Sequence, residues 1–273
     1  NRDSWTASPS DIDRVKAAIE KDRAAADSAD NRGAGGAGSG AVGDAVFQFG
    51  RGSDPKYYTD VLHAPSKRDP RGYILPSDQP DFLTATKFVN TLRHVGVYVD
   101  QATAPFTVAG KQYPAGSFVL RNNQAARAHI LDMMEPQDHP NDFAYPGGPP
   151  NRPYDNAGWT LAYQMGVKFD RFLDPFDAPT RRLGLKELAK PLAGTVANAS
   201  GAQGFLLSHD YNDAVTVINR VFKSGGDVYW LRSPMTANGT TYPSGTYYIS
   251  ASAAPIVEKA AAERVGIADV AIQ

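Results

Sequence analysis

Tyr73-Ile74-Leu75-Pro76-Ser77-Asp78-Gln79-Pro80-Asp81-Phe82-Leu83-Thr84-Ala85-Thr86-Lys87-Phe88-Val89-Asn90-Thr91-Leu92-Arg93-His94-Val95-Gly96-Val97-Tyr98-Val99 carries the reading of the fold. Gly72 to Leu75 is a short apolar run of the kind a buried strand shows, and Pro76 to Pro80 is a turn. Phe82, Ala85, Phe88, Val89, Leu92 and Val95 recur at helical spacing, which predicts an amphipathic helix that Gly96 stops. Val97-Tyr98-Val99 then reads as a second strand. Downstream, Phe106 to Tyr113 around Ala109-Gly110 reads as a hairpin, and Pro114-Ala115-Gly116 as a turn. Ser117 to Leu120 is another strand, and Ala126, Ile130, Met133 and Met134 mark a closing helix.

The same succession returns later. Phe205-Leu206-Leu207 is a strand; Ala214, Val217, Ile218 and Val221 mark a helix ended by Gly225-Gly226. Val228-Tyr229-Trp230-Leu231 is a strand, Asn238-Gly239 a hairpin turn, Thr246 to Ile249 a strand, and a helix begins near Pro255. An ungapped shift of 129 places Asp81 on Asp210, Ala85 on Ala214, Gly96 on Gly225, Gly110 on Gly239, Tyr113 on Tyr242 and Gly116 on Gly245. Several of these, the glycines above all, are turn and helix-stop positions, where backbone geometry dictates the residue. The pattern predicts two repeated βαββα units, about 70–134 and 203–265, in an α/β region spanning 70–273. The period is far too long for a solenoid.

Composition bounds what the chain can do. It has 273 residues, 42% apolar, with 28 basic against 29 acidic side chains and no Cys. A formal charge of −1 supplies no electrostatic footprint for nucleic acid or an anionic membrane. The lack of Cys excludes disulfides, thiolate metal sites and a Cys nucleophile. Asn1-Arg2-Asp3-Ser4-Trp5 has neither initiator Met nor leader pattern, and reads as the interior of a longer protein. Residues 1–30 hold a helix signalled by Ser8 as N-cap, Pro9 and Asp11. The run Gly33 to Gly40 makes 31–69 a flexible Gly-rich linker; without a following Lys-Ser/Thr it is not a phosphate loop. A Pro/Gly-rich segment, 135–180, joins the two units.

Several motifs resemble one family. They are Pro70 to Pro76, Thr86-Lys87-Phe88-Val89-Asn90, Tyr113-Pro114-Ala115-Gly116-Ser117, Glu135 to Asp142, Tyr145 to Pro150 and Tyr154 to Leu161. They are similar to the region after the catalytic domain in large bacterial zinc carboxypeptidases of the carboxypeptidase A-like class. The resemblance implies an exported parent, secreted or periplasmic, that releases C-terminal residues from peptides with zinc in an upstream catalytic domain. It also implies that this region has a class I glutamine amidotransferase-like α/β fold, with the upstream domain as its partner. The zinc motif itself, His-x-x-Glu, is absent. None of His63, His94, His129, His139 and His209 has Glu at +3, so no zinc ligand and no cofactor site carries over. Without Cys, the amidotransferase nucleophile is missing too.

That leaves an accessory region as the first expectation, with an autonomous peptide- or cell-wall-binding module and a cryptic hydrolase as alternatives. Asp138, His139, Asp142, Tyr145, Tyr154 and Trp159 form the candidate contact surface, because aromatic area with carboxylates suits a polypeptide partner. The competing reading pins the same loop to its own domain. Ser208-His209-Asp210 is a turn rather than a triad, since consecutive side chains diverge. His129 reads as a hydrogen-bonder on a helix flank, Arg181-Arg182 as a solvated pair, and Tyr98, Tyr229 and Trp230 as sheet packing.

Overall fold

The computed structural model describes residues 3–30, 54–136, 142–152, 160–192, 194–196 and 201–263. These fall into two compact units, 1–70 with 136–157, and 71–135 with 158–273.

In the first unit, helix α1 (Pro9–Asp30) starts directly after Ser8. The Ser8 backbone N–H and hydroxyl both donate to Asp11 Oδ2, at 2.9 and 3.0 Å. A wide π-type turn, Tyr57–Leu62, lies against α1. Lys56 and the Tyr57 hydroxyl both engage Asp22, at 2.7 and 2.9 Å. Beside this contact runs an apolar groove of about 290 Å³ lined by Ile12, Val15, Tyr57, Tyr58 and Leu62.

The second unit holds the repeats. The first runs through β1 (Gly72–Leu75), α2 (Phe82–His94), β2 (Asp100–Ala102), the hairpin β3 (Phe106–Val108) and β4 (Lys111–Tyr113), β5 (Phe118–Arg121) and α3 (Arg127–Met134). A short helix α4 (Leu161–Gln164) and two strands, β6 (Asp170–Phe172) and β7 (Thr180–Arg182), follow. The second repeat runs through β8 (Gly204–Leu207), α5 (Ala214–Lys223), β9 (Val228–Trp230), β10 (Met235–Ala237), β11 (Thr240–Tyr242), β12 (Tyr247–Ser250) and α6 (Ala254–Ala262).

The sheets overturn the expected fold class. The first has the order β6-β1-β5-β2-β7 and the second β8-β12-β9, and every ladder in both is antiparallel. A class I glutamine amidotransferase-like sheet would set the strands flanking a crossover helix side by side and parallel. Here β1 and β2 point the same way but stand apart, because β5 returns from the hairpin and slots between them. In the second repeat β12 separates β8 from β9 in the same manner. Each unit is therefore a split crossover rather than a βαβ with adjacent parallel strands.

Both hairpins turn on two residues in the left-handed region: Ala109 and Gly110 at φ 48° and 82°, Asn238 and Gly239 at 49° and 77°. Glycine tolerates that geometry without cost, and the twist suits a two-residue hairpin. The repeat has one slip. Strand β8 lies 132 positions after β1, whereas β12 lies 129 after β5. The difference is absorbed in α5, which has 10 residues where α2 has 13, close to one helical turn. The residue preceding α5 is consequently Asp213, not Asp210.

Tyr73, Leu75, Phe88, Leu92, Phe118 and Leu120 centre the first core; Phe205, Leu207, Val217, Val221, Ile249 and Val257 centre the second. The repeats are tied at their helix starts. Asp81 Oδ2 accepts from the Asn212 backbone N–H and side-chain amide, at 3.1 and 3.0 Å, and Lys87 pairs with Asp213.

A candidate docking edge on the second sheet

Among the described residues, strand β9 is paired on one side only. Its residues Val228, Tyr229 and Trp230 face Ile249, Tyr248 and Tyr247 of β12. Just beyond it, Leu231 N–H donates to Thr246 O at 2.9 Å and Leu231 O accepts from Gly245 N–H at 2.8 Å. The first repeat makes the same bonds, Ala102 N–H to Ser117 O and Gly116 N–H to Ala102 O, both at 2.8 Å. There the resemblance stops. The outer edge of β2 carries β7, with Asp100, Gln101 and Ala102 opposite Arg182, Arg181 and Thr180. Two flanking bonds, Leu183 N–H to Val99 O at 3.0 Å and Thr103 N–H to Pro179 O at 2.8 Å, extend that ladder. The corresponding Val228 O and Arg232 N–H have no backbone partner among the described residues.

One stretch of chain, 170–189, wraps the whole first repeat. Strand β6 completes the β1 edge, and Phe172 and Phe176 cover the face bearing Ile74 and Val119. Strand β7 completes the β2 edge. Beyond it Asn90 exchanges bonds with Ala189, at 2.8 and 3.0 Å, and Arg93 donates to the Glu187 and Gly184 carbonyls. The second repeat has no such wrap among its described residues. Trp230 is 69% exposed and Tyr229 57%, and on α5 Phe222 and Val215 lie open.

Charge fixes β7 in place. Asp100 is buried; Arg182 Nε reaches its Oδ1 at 2.9 Å and Arg121 Nε its Oδ2 at 3.4 Å. The Arg182 guanidinium also sits 5.1 Å from the centre of the Tyr98 ring. The hydrogen bond to Asp100 raises the Arg182 pKa. Tyr98 and Asp100 are two residues apart in extended chain, so they share a face. Shifted by 129, that pair becomes Asp227 and Tyr229, with acid and aromatic exchanged. Both are exposed, and Asp227 has no ion-pair partner among the described residues.

Of the sequence-predicted contact surface, Asp142 and Tyr145 fall within the described residues. Asp138, His139, Tyr154 and Trp159 lie outside the described residues. Asp142 and Tyr145 are exposed in the first unit, where Phe143 bridges Pro150 and the Tyr145 ring lies over Gly148. Ser208-His209-Asp210 forms a tight turn: Ser208 Oγ accepts from Asp210 N–H at 3.1 Å and donates to its carboxylate at 3.1 Å. His209 lies against Gly245. Arg181 and Arg182 are both exposed, and they also clasp β7, Arg181 bonding Glu187 through both amino groups at 2.8 Å.

Reading Tyr229 and Trp230 as packing residues missed their exposure. The run Val228 to Leu231 lacks polar alternation, which suggests burial on both faces, whereas it forms a sheet edge. The one signal available was comparative: the first repeat is followed by further strand-like sequence.

Among the described residues no three His, Asp or Glu side chains converge to hold a metal, and no helix is long and apolar enough to cross a membrane. No protein family model matches the chain, and no curated protein or solved structure is significantly similar to it.

Proposed function

We propose that this chain is a non-catalytic accessory region of a zinc metallocarboxypeptidase-like protein, one that holds a polypeptide segment at the β9 edge rather than cutting it. The observation that carries this reading is the outer edge of β9, unpaired among the described residues and bearing exposed Trp230 and Tyr229, in a repeat whose counterpart edge is paired with β7. An unpaired strand edge recognises extended chain through its backbone, and adjacent aromatics add contact area.

The acidic groups of the first repeat support an architectural part for it. Tyr73 donates to Glu135 Oε1 at 2.6 Å while Arg171 binds the same carboxylate at 2.8 Å; burial, then Glu135, raises the Tyr73 phenol far above its ordinary range. Asp170 takes Lys111 at 2.6 Å and Tyr113 at 2.9 Å, tying the hairpin to β6. Glu135 and Asp170 are thus both committed to joining elements. The motif resemblance supplies the parent: zinc chemistry in an upstream catalytic domain, in an exported protein.

The test is direct. The purified chain should release no C-terminal residues from peptides, with or without added zinc, while a polypeptide partner perturbs β9. Chelator-sensitive carboxypeptidase activity from this chain alone would overturn the proposal.

A further inference from the structure

We infer that the segment received by β9 is an arginine-bearing extended strand of a partner polypeptide, running antiparallel to β9 with its arginine opposite Tyr229. This rests on the docking reading above and specifies the occupant.

The molecule contains a worked example. Strand β7 occupies the equivalent edge of β2 in antiparallel register, and the residue opposite Asp100 is Arg182. That side chain does two things at once: it bonds the Asp100 carboxylate at 2.9 Å and lies 5.1 Å from the Tyr98 ring centre. A flat, permanently charged guanidinium meets both demands, pairing with the carboxylate in its plane while its face lies on the ring, a geometry that the point charge of a lysine does not reproduce.

The β9 edge offers the same two groups in reverse order. A residue opposite Tyr229 stands where Arg182 stands over Asp100, since Tyr229 pairs with Tyr248 as Asp100 pairs with Val119. An arginine there has the exposed Tyr229 ring beneath it and the Asp227 carboxylate two residues along the same face. The acid of the first repeat already has two cations, Arg182 and Arg121, whereas Asp227 has none among the described residues. The backbone ends of the ladder, Val228 O and Arg232 N–H, await the bonds that Leu183 and Pro179 supply in the first repeat. Beyond the edge, the incoming chain meets α5, where Phe222 stands at the position of Arg93 and is 55% exposed. An apolar residue some five positions past the arginine therefore suits the partner, as Glu187 and Ala189 follow Arg182 across α2.

The probe is a capped synthetic hexapeptide copying residues 179–184, titrated into the whole isotope-labelled chain and followed by amide shifts and hydrogen exchange. The expected result is movement of the Tyr229 to Arg232 amides and slowed exchange at Arg232. A peptide with Glu in place of the second arginine should bind about tenfold more weakly, since an attraction becomes a repulsion. Asp227→Asn should shrink the preference for arginine about threefold. N-methylation at the residue standing for Arg181 should abolish binding, because it blocks the ladder without touching charge. If no peptide moves β9, the docking reading itself falls. If the Glu peptide binds β9 as well as the original, strand docking stands and the arginine inference is overturned. Slow exchange at Arg232 before any peptide is added also overturns it: concentration-dependent protection puts a second copy on the edge, concentration-independent protection another segment of the same chain.

Discussion

The two repeats share a topology and differ in what surrounds them. In the first, three strands become five, and the face, both edges and the crossover helix are all covered by one stretch, 170–189. In the second, three strands remain three among the described residues, and the positions corresponding to the covered ones bear Trp230, Tyr229 and Phe222 in solvent. The shared topology supplies a platform, and what surrounds it decides whether that platform is closed or left to receive something. Paired substitutions at equivalent positions turn this contrast into measurements.

The largest difference is expected at Phe118 and Tyr247, which occupy equivalent places on β5 and β12. Phe118 is fully buried and stacks on Phe82 at 5.1 Å, whereas Tyr247 is half-buried with Trp230 6.5 Å away. Phe118→Ala should cost about 3–5 kcal/mol, the range for emptying a packed aromatic site, and Tyr247→Ala nearer about 1 kcal/mol. Urea denaturation of each variant gives the two values. Equal costs would mean that the second sheet is as closed as the first.

A subtler pair is Ser117 and Thr246, both fully buried. The Ser117 hydroxyl accepts from Ser77 N–H at 3.1 Å and donates to Pro114 O at 2.8 Å. The Thr246 hydroxyl has no hydrogen-bond partner among the described residues. Ser117→Ala strands a buried N–H and should cost about 1–3 kcal/mol. Thr246→Val removes a buried hydroxyl that bonds nothing, so it should be neutral or stabilising by up to about 1 kcal/mol. A clear loss at Thr246 would show that its hydroxyl is satisfied in solution.

The helix starts come next. Asp81 caps α2 through Thr84 N–H at 2.9 Å and also holds Asn212; Asp213 makes no side-chain cap and pairs with Lys87 at the surface. Asp81→Ala should cost about 0.5–2 kcal/mol, and Asp213→Ala less than about 1 kcal/mol. A double-mutant cycle on Asp81 and Asn212 then reads how strongly the repeats are coupled.

How much of this is legible in the sequence follows from range. Helix α2, both hairpin turns and most strand runs rest on neighbours within a few residues, so Phe82, Ala85, Phe88 and Leu92 reveal a helix, and Ala109-Gly110 and Asn238-Gly239 reveal turns; the exception is β2, which forms at Asp100–Ala102 rather than at the apolar run Val97–Val99. Strand order is different. A crossover followed by a hairpin reads alike whether the returning strand lands outside the pair or between, and β5 and β12 land between. The 129 shift aligned glycines and tyrosines but set Asp81 on Asp210, because a missing helical turn leaves no mark in an ungapped comparison. For the candidate edge, Tyr229 and Trp230 look like core residues until the absence of a counterpart to β7 is seen. Arg182 looks like surface until Asp100, 82 residues away, is found beneath it.

The smallest expected effect concerns the clasp that finishes the first wrap. Glu187 accepts from Arg181 and from Gly184 N–H at 3.0 Å, and these bonds, the Arg181 pair first, lower its pKa from 4.5 to about 2. A carboxyl depressed in the folded state favours folding wherever it is ionised in both states. Its contribution is therefore complete above about pH 4.5 and fades as pH falls towards about 2. The pair is open to solvent, so the global effect is slight. Local exchange is the sharper reading. Glu187→Gln should speed amide exchange at Thr103 and Leu183, the bonds bracketing β7, at pH 6. The variant and the parent should converge as the solution approaches pH 2. A Glu187 titration centred near pH 4.5, or exchange at β7 indifferent to the substitution, would mean that the backbone ladder and Arg182 alone keep the first edge closed. An added strand carrying one arginine would then be enough to close the second.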